Sequence, residues 1–99
     1  MIFEMRTYRL QPGSVPEVEK RFGEALTERV KASPLGAFFH TEVGPLNHII
    51  HIWPYRDAAE RFRIRDEARQ SGLWPPRTQG LFVKQENMLV VPAAFSPLH

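Results

Sequence analysis

Residues Thr41–Tyr55, TEVGPLNHIIHIWPY, allow few backbone solutions. Gly44-Pro45 divides the run into two segments with strand-like content, and a break this short leaves no room for a crossover. The expectation is an antiparallel hairpin closed by a tight turn at Gly44-Pro45, with strands over 35–42 and 48–55. On the second limb His51, Trp53 and Tyr55 share one face by the two-residue period, with Asn47 in phase just before them. A strand that only packed a core would not need His51 beside Trp53, so this face points to a pocket.

The rest of the chain supplies the partners of that hairpin. Ile2–Leu10 alternates as a strand, with Ile2, Glu4, Arg6 and Tyr8 on one face and Phe3, Met5 and Thr7 on the other. Gln11-Pro12-Gly13 is a turn. Ser14 with Glu17 reads as a capping box opening a helix, and Pro16 is tolerated in its first turn. Val15, Val18, Phe22, Leu26 and Val30 follow helical spacing, and Pro34 sets the end near Ala32. Asp57 with Glu60 forms a second capping box. That helix has Ala58, Ala59, Phe62 and Ala68 as its inner positions and ends near Ser71-Gly72. Phe82–Val91 is the last strand, and Pro92–His99 a short tail.

The order strand, helix, strand, strand, helix, strand predicts an α+β ferredoxin-like βαββαβ domain over residues 1–99: an antiparallel sheet with two helices on one face. The other face, with Phe3, Met5, Phe39, Ile50, Ile52, Met88 and Val90, is too apolar to stay open. A second copy stacked sheet on sheet is the simplest cover, so a homodimer is expected.

Composition narrows the function classes. A chain of 99 residues makes one domain with a modest core. A formal charge of +2 gives no basic tract. Arg61, Arg65 and Arg69 are interleaved with Asp57, Glu60, Asp66 and Glu67, as in a solvated helix laced with ion pairs, so no nucleic-acid partner is expected. No apolar run approaches the roughly 20 residues that span a bilayer, so no membrane partner is expected either. The chain opens without a charged leader or apolar core segment, so no signal peptide is expected. There is no cysteine for disulfides, and a cytoplasmic location is the expectation.

Four motifs together resemble the NIPSNAP family: FEMRTY (Phe3–Tyr8), the TEVGPLNHIIHIWPY hairpin, Arg61 on the second helix, and KQENMLVVP (Lys84–Pro92). The resemblance implies a dimeric α/β barrel, two ferredoxin-like sheets facing each other. In that wider superfamily cofactor-free monooxygenases, haem-degrading enzymes and isomerases share one scaffold. One departure is Gly72-Leu73-Trp74-Pro75-Pro76, whose prolines break the third helical segment that many relatives carry.

Two residues are the catalytic candidates. Arg6, alternating with Glu4, is suited to fix an anionic or carbonyl oxygen by forked hydrogen bonds; its structural alternative is a sheet-holding pair with Glu4. His51 is suited to acid–base work near neutral pH; its alternative is a half-buried ring bonded to a neighbour. Substrate-binding candidates are Tyr8, Glu42, Asn47, Trp53, Gln85 and Asn87, with aromatic walls and amides that orient a ligand. The expected pocket lies between sheet and helices, lined by Tyr8, Phe22, Trp53, Phe62 and Trp74, and suits a small apolar or aromatic molecule. His48 and His51 have opposite parity, so no metal site is expected. Without a Gly-rich phosphate loop or dinucleotide fingerprint, no cofactor is expected. The alternative to a ligand-binding or cofactor-independent enzyme is a non-catalytic structural dimer.

Overall fold

The computed structural model describes residues 1–99. The elements are β1 (Ile2–Leu10), α1 (Val15–Arg29), β2 (Ala37–His40), β3 (His48–Tyr55), α2 (Ala58–Gln70) and β4 (Phe82–Val90). The sheet runs β2-β3-β1-β4, antiparallel throughout, which is the ferredoxin-like βαββαβ arrangement. No helix is long and apolar enough to cross a membrane.

Register decides which side chains meet the helices. Glu4 lies opposite Trp53 and Leu89, Arg6 opposite His51 and Asn87, and Tyr8 opposite Ile49 and Gln85. Strand parity therefore gathers all of these on one face. Along β3 every second residue, Ile49, His51, Trp53 and Tyr55, is buried. Val18 and Phe22 of α1 and Ile64 and Ala68 of α2 close over them. The opposite face carries Phe3, Met5, Ile50, Ile52, Met88 and Val90, with Phe39 and Met88 more than half exposed.

The hairpin is wider than expected. β2 covers only Ala37–His40, and residues 41–47 form a loop rather than a tight turn at Gly44-Pro45. Asn47 takes the left-handed conformation that Asn tolerates (φ 62°), and its Oδ1 accepts the Gly13 N–H at 3.1 Å, tying this loop to the β1–α1 turn. Just before β2, the Gly36 N–H donates to Ile52 O at 2.8 Å. A Cβ there would sit 2.9 Å from that oxygen, so the close approach requires glycine.

The two helix starts differ. Asp57 is extended and its Oδ1 accepts the Glu60 N–H at 2.8 Å, while Glu60 Oε2 accepts the Arg56 N–H at 2.6 Å. Ser14 forms no cap. It is already helical in backbone, and its hydroxyl donates back to Gln11 O at 2.7 Å. Glu17 pairs instead with Arg21 one turn on, at 2.9 Å. Asp57→Ala therefore costs about 1 kcal/mol and Ser14→Ala under about 0.5 kcal/mol in urea unfolding. Equal losses at the two positions would overturn this assignment.

Two further boundaries and one helix face depart from expectation. α1 ends at Arg29 rather than Ala32, because Lys31 and Ala32 tighten onto Glu28 O and Arg29 O. β4 ends at Val90 rather than Val91. On α2, Ala58, Ala59 and Phe62 face solvent, and Phe62 is 68% exposed. Arg61, Ile64, Arg65 and Ala68 form the inner stripe instead, at the i, i+3, i+4, i+7 spacing of one helix face. About 100° of helical turn per residue then puts Phe62 outside.

Candidate functional site

The sheet face under the helices is organised around Glu4, which is fully buried. Its Oε2 accepts from Arg6 Nη1 at 3.1 Å, Arg61 Nη2 at 2.6 Å and Asn87 Nδ2 at 3.0 Å. Arg65 Nη1 stands 3.7 Å from Oε1, too far for a hydrogen bond. Burial works to raise the Glu4 carboxyl, but the bonds from Arg61 and Asn87 and the fields of Arg6 and Arg65 outweigh it and hold the group at about 2. The expectation that Arg61 and Arg65 belong to a solvated stripe is corrected here: both lean inward, at 13% and 26% side-chain exposure. The structural Arg6–Glu4 pair considered from sequence is present, and it belongs to a larger cluster.

Beside this cluster lies a cage of aromatic rings. Arg6 Nε donates to Tyr8 Oη at 2.6 Å, so the hydroxyl proton of Tyr8 is left to donate elsewhere. His51 stacks on Phe38 at 5.1 Å and meets Tyr8 and Phe22 edge-on at 5.1 and 5.4 Å. The Trp53 indole N–H, which can only donate, reaches His51 Nδ1 at 2.8 Å. Nδ1 is therefore the acceptor, and the proton of the neutral ring sits on Nε2, a buried atom with no partner. Burial, then the charge of Arg6, pushes the His51 imidazole down to about 3, so the ring is neutral at physiological pH. In this state His51 presents a hydrogen-bond donor rather than a free base.

Arg29 supports the cage from behind. It is buried without an acid partner, donating to Ser33 Oγ at 2.8 Å and Tyr55 Oη at 2.9 Å, with its guanidinium 4.2 Å above the Trp53 ring. Trp74, from the loop after α2, packs edge-on against Phe22 and Trp53 at 5.4 and 5.7 Å. The prolines that follow Trp74 leave no third helix, and the loop drops the ring into the core.

Together these groups enclose a cavity of about 380 Å³ between the sheet and the α2–β4 loop. Of the residues expected at the site, it brings together Arg6, His51, Tyr8, Trp53 and Gln85, with Phe22 and Trp74 as further walls. Asn87 stands one layer back on Glu4. Glu42 is exposed in the 41–47 loop, Asn47 is committed to Gly13, and Phe62 points to solvent, so none of the three reaches the cavity. Sequence reasoning missed Arg65 and Arg69 in the lining and Arg29 behind it. The spacing of Ile64 and Ala68, flanked by Arg61 and Arg65, was the signal available for the first of these.

The NIPSNAP family model matches residues 3–97. A NipSnap homologue of Dictyostelium discoideum is 41% identical over 73 residues, covering 74% of this chain and 33% of that protein. NipSnap homologue 1 of Danio rerio is 30% identical over 100 residues, covering 98% and 36%. The chain thus spans about one third of the length of the curated relatives it matches. Among solved structures, an Agrobacterium tumefaciens protein superposes with a TM-score of 0.91 at 34% identity over 100% of both chains. A NIPSNAP family protein of the same organism gives 0.91 at 31% identity, over 99% of this chain and 98% of that one. An antibiotic biosynthesis monooxygenase gives 0.70 at 15% identity, over 94% and 99%, a likeness of fold alone.

Proposed function

The chain belongs to the NIPSNAP family, and from that premise we propose that it binds a small, largely aromatic molecule between sheet and helices, as a homodimer whose open sheet faces meet. The observation that carries the first half is the cavity itself. It joins aromatic walls to convergent arginine, imidazole and amide groups, a concave site with polar groups placed to orient a ligand. The unpartnered His51 Nε2–H supports it further, because a buried donor left empty costs about 1–3 kcal/mol and a ligand oxygen would recover that.

Within this reading Arg6 and His51 are the residues proposed to act on a bound substrate. A neutral imidazole N–H and a guanidinium together would polarise a carbonyl or stabilise an enolate oxygen without a cofactor, the role of an oxyanion hole. Tyr8, Trp53 and Gln85 would bind and orient the substrate.

The dimer is supported by the open face. Phe39 and Met88 lie more than half exposed amid Phe3, Met5, Ile50 and Ile52, an apolar patch that stacking a second sheet would cover. β4 is exposed along both faces at an edge of the sheet, the kind of strand that proteins protect by assembly. The same observation favours the second reading, a non-catalytic dimer in which the polar cluster serves packing.

Native mass spectrometry of untagged protein tests both halves. The expected spectrum is a dimer, with a fraction carrying an added small mass, and Met88→Lys shifts it to monomer. A monomer at micromolar concentration defeats the dimer. An apo spectrum whose tryptophan fluorescence is indifferent to a panel of aromatic probes favours the non-catalytic reading.

A further inference from the structure

The charged and buried polar groups that line the cavity are donors, and only Thr78, Gln79 and Gln85 add side-chain groups that can do either. Tyr8 Oη already accepts from Arg6 and has its proton to give, and His51 presents Nε2–H from a residue 1% exposed. Arg6 spends Nε on Tyr8 and Nη1 on Glu4, leaving Nη2 unspent. Arg65 also lines the cavity, held 3.7 Å from the nearest carboxylate oxygen, and Arg69 lines it with no acid partner. No Asp or Glu is among the lining residues.

The charges do not balance either. Arg6, Arg61 and Arg65 surround one carboxylate, Glu4, and Arg69 adds a further positive charge at the cavity mouth. Arg6 and Arg65, at 15% and 26% side-chain exposure, thus share one acid between them and Arg61. Arginine's planar fork matches a carboxylate, and Phe22, Trp53 and Trp74 give the same cavity aromatic walls for an apolar body.

We propose that this cavity selects a planar aromatic or conjugated carboxylic acid, its carboxylate held by Arg6 and Arg65 and met by the N–H of His51, with Arg69 adding positive charge at the mouth. This rests on the cavity being a ligand site, and it adds the charge and shape of the ligand. Arg65 is a recognition residue here rather than a structural one. Burial and the nearby Arg6 already weigh against its charged form, so the empty protein gains little from it.

The test compares trans-cinnamate with trans-cinnamamide, equal in shape and differing in charge, by titration calorimetry and saturation-transfer NMR at neutral pH. Cinnamate is expected to bind at least roughly tenfold tighter, the gain from one charge-assisted hydrogen bond, and to weaken as salt is raised. Arg65→Gln is expected to abolish that preference and Arg69→Gln to weaken it, both leaving the melting temperature unchanged or higher. If acid and amide bind alike and the variants change nothing, the carboxylate proposal fails while the cavity reading stands. If neither probe binds, both fail. An Arg65→Gln variant that melts lower yet keeps the preference returns Arg65 to a structural role and overturns the proposal. Inorganic phosphate competing as well as cinnamate overturns it too, since no flat acid would then be selected.

Discussion

Glu4→Gln lowers the unfolding free energy by about 3–5 kcal/mol, the cost of breaking a buried pair by removing one partner. The substitution keeps the shape of the side chain and removes its charge. Arg6, Arg61 and Arg65, at 15%, 13% and 26% side-chain exposure, are then left facing one another. The Asn87 amide still finds an oxygen, so the loss comes from the guanidiniums. Urea unfolding measures it: the midpoint falls while the slope stays constant, since the surface exposed on unfolding is the same. Glu28→Gln is the control. It breaks only the exposed Lys31 pair and costs under about 1 kcal/mol. A Glu4→Gln loss as small as the control's would mean that solvent neutralises the arginines and that no buried network exists.

The second large effect is loss of stability in mild acid, with His51 as its source. The imidazole titrates near 6.5 in the unfolded chain and is held down to about 3 in the fold. Its contribution is therefore fully present above pH 6.5 and is lost as pH falls toward 3, because the unfolded chain binds a proton that the folded one refuses. The slope approaches about 1.4 kcal/mol per pH unit, the value of one proton. Glu4 acts with the same sign lower down: its contribution is present above 4.5 and lost toward about 2. Glu86, lowered by its bond and charge partner Lys84, has the same direction at an exposed site. His40 has the opposite sign, since its bond to Glu19 raises it and its contribution fades as pH rises. In His51→Gln the amide oxygen can still accept the Trp53 N–H, and the decline between pH 6.5 and 4.5 disappears while the Glu4 limb remains. A variant with the parent's slope in that window would show that His51 is protonated in the folded protein.

The elements were legible where local chemistry decides. The alternation of His51, Trp53 and Tyr55, the Asp57 cap on the Glu60 N–H and the end of α2 at Ser71-Gly72 all appear in the structure, with Gly72 at φ 74°, while the Glu60 carboxylate returns to Arg56 rather than to Asp57. The Ser14 box failed because Ser14 is already helical in backbone and turns its hydroxyl back toward Gln11 O, a choice that spacing does not reveal. The site was legible on β1 and β3, where parity groups Arg6, Tyr8, His51 and Trp53. It was illegible on the helices. Arg29, Arg61 and Arg65 look like surface residues by type, and their inward turn is set by partners far off in the chain, Trp53 and Tyr55 for Arg29 and Glu4 for Arg61 and Arg65. Hydropathy alone put Phe62 inside, whereas a buried carboxylate on another element outranked it.

The stripe that α2 turns to the sheet has a consequence for how the molecule comes apart. Only Ile64 and Ala68 of that helix are buried, and its one bond to the sheet's carboxylate is that of Arg61 to Glu4. α1 is fastened differently, by Val18 and Phe22 in the aromatic core. Both helices place residues in the same buried cluster, but only α2 adds to it an ionic hold on the sheet. Neutralising that one carboxylate weakens the hold on α2 and leaves the contacts of α1 untouched. Releasing α2 would lift Arg65 and Arg69 away together, uncovering one wall of the cavity without dismantling the sheet beneath.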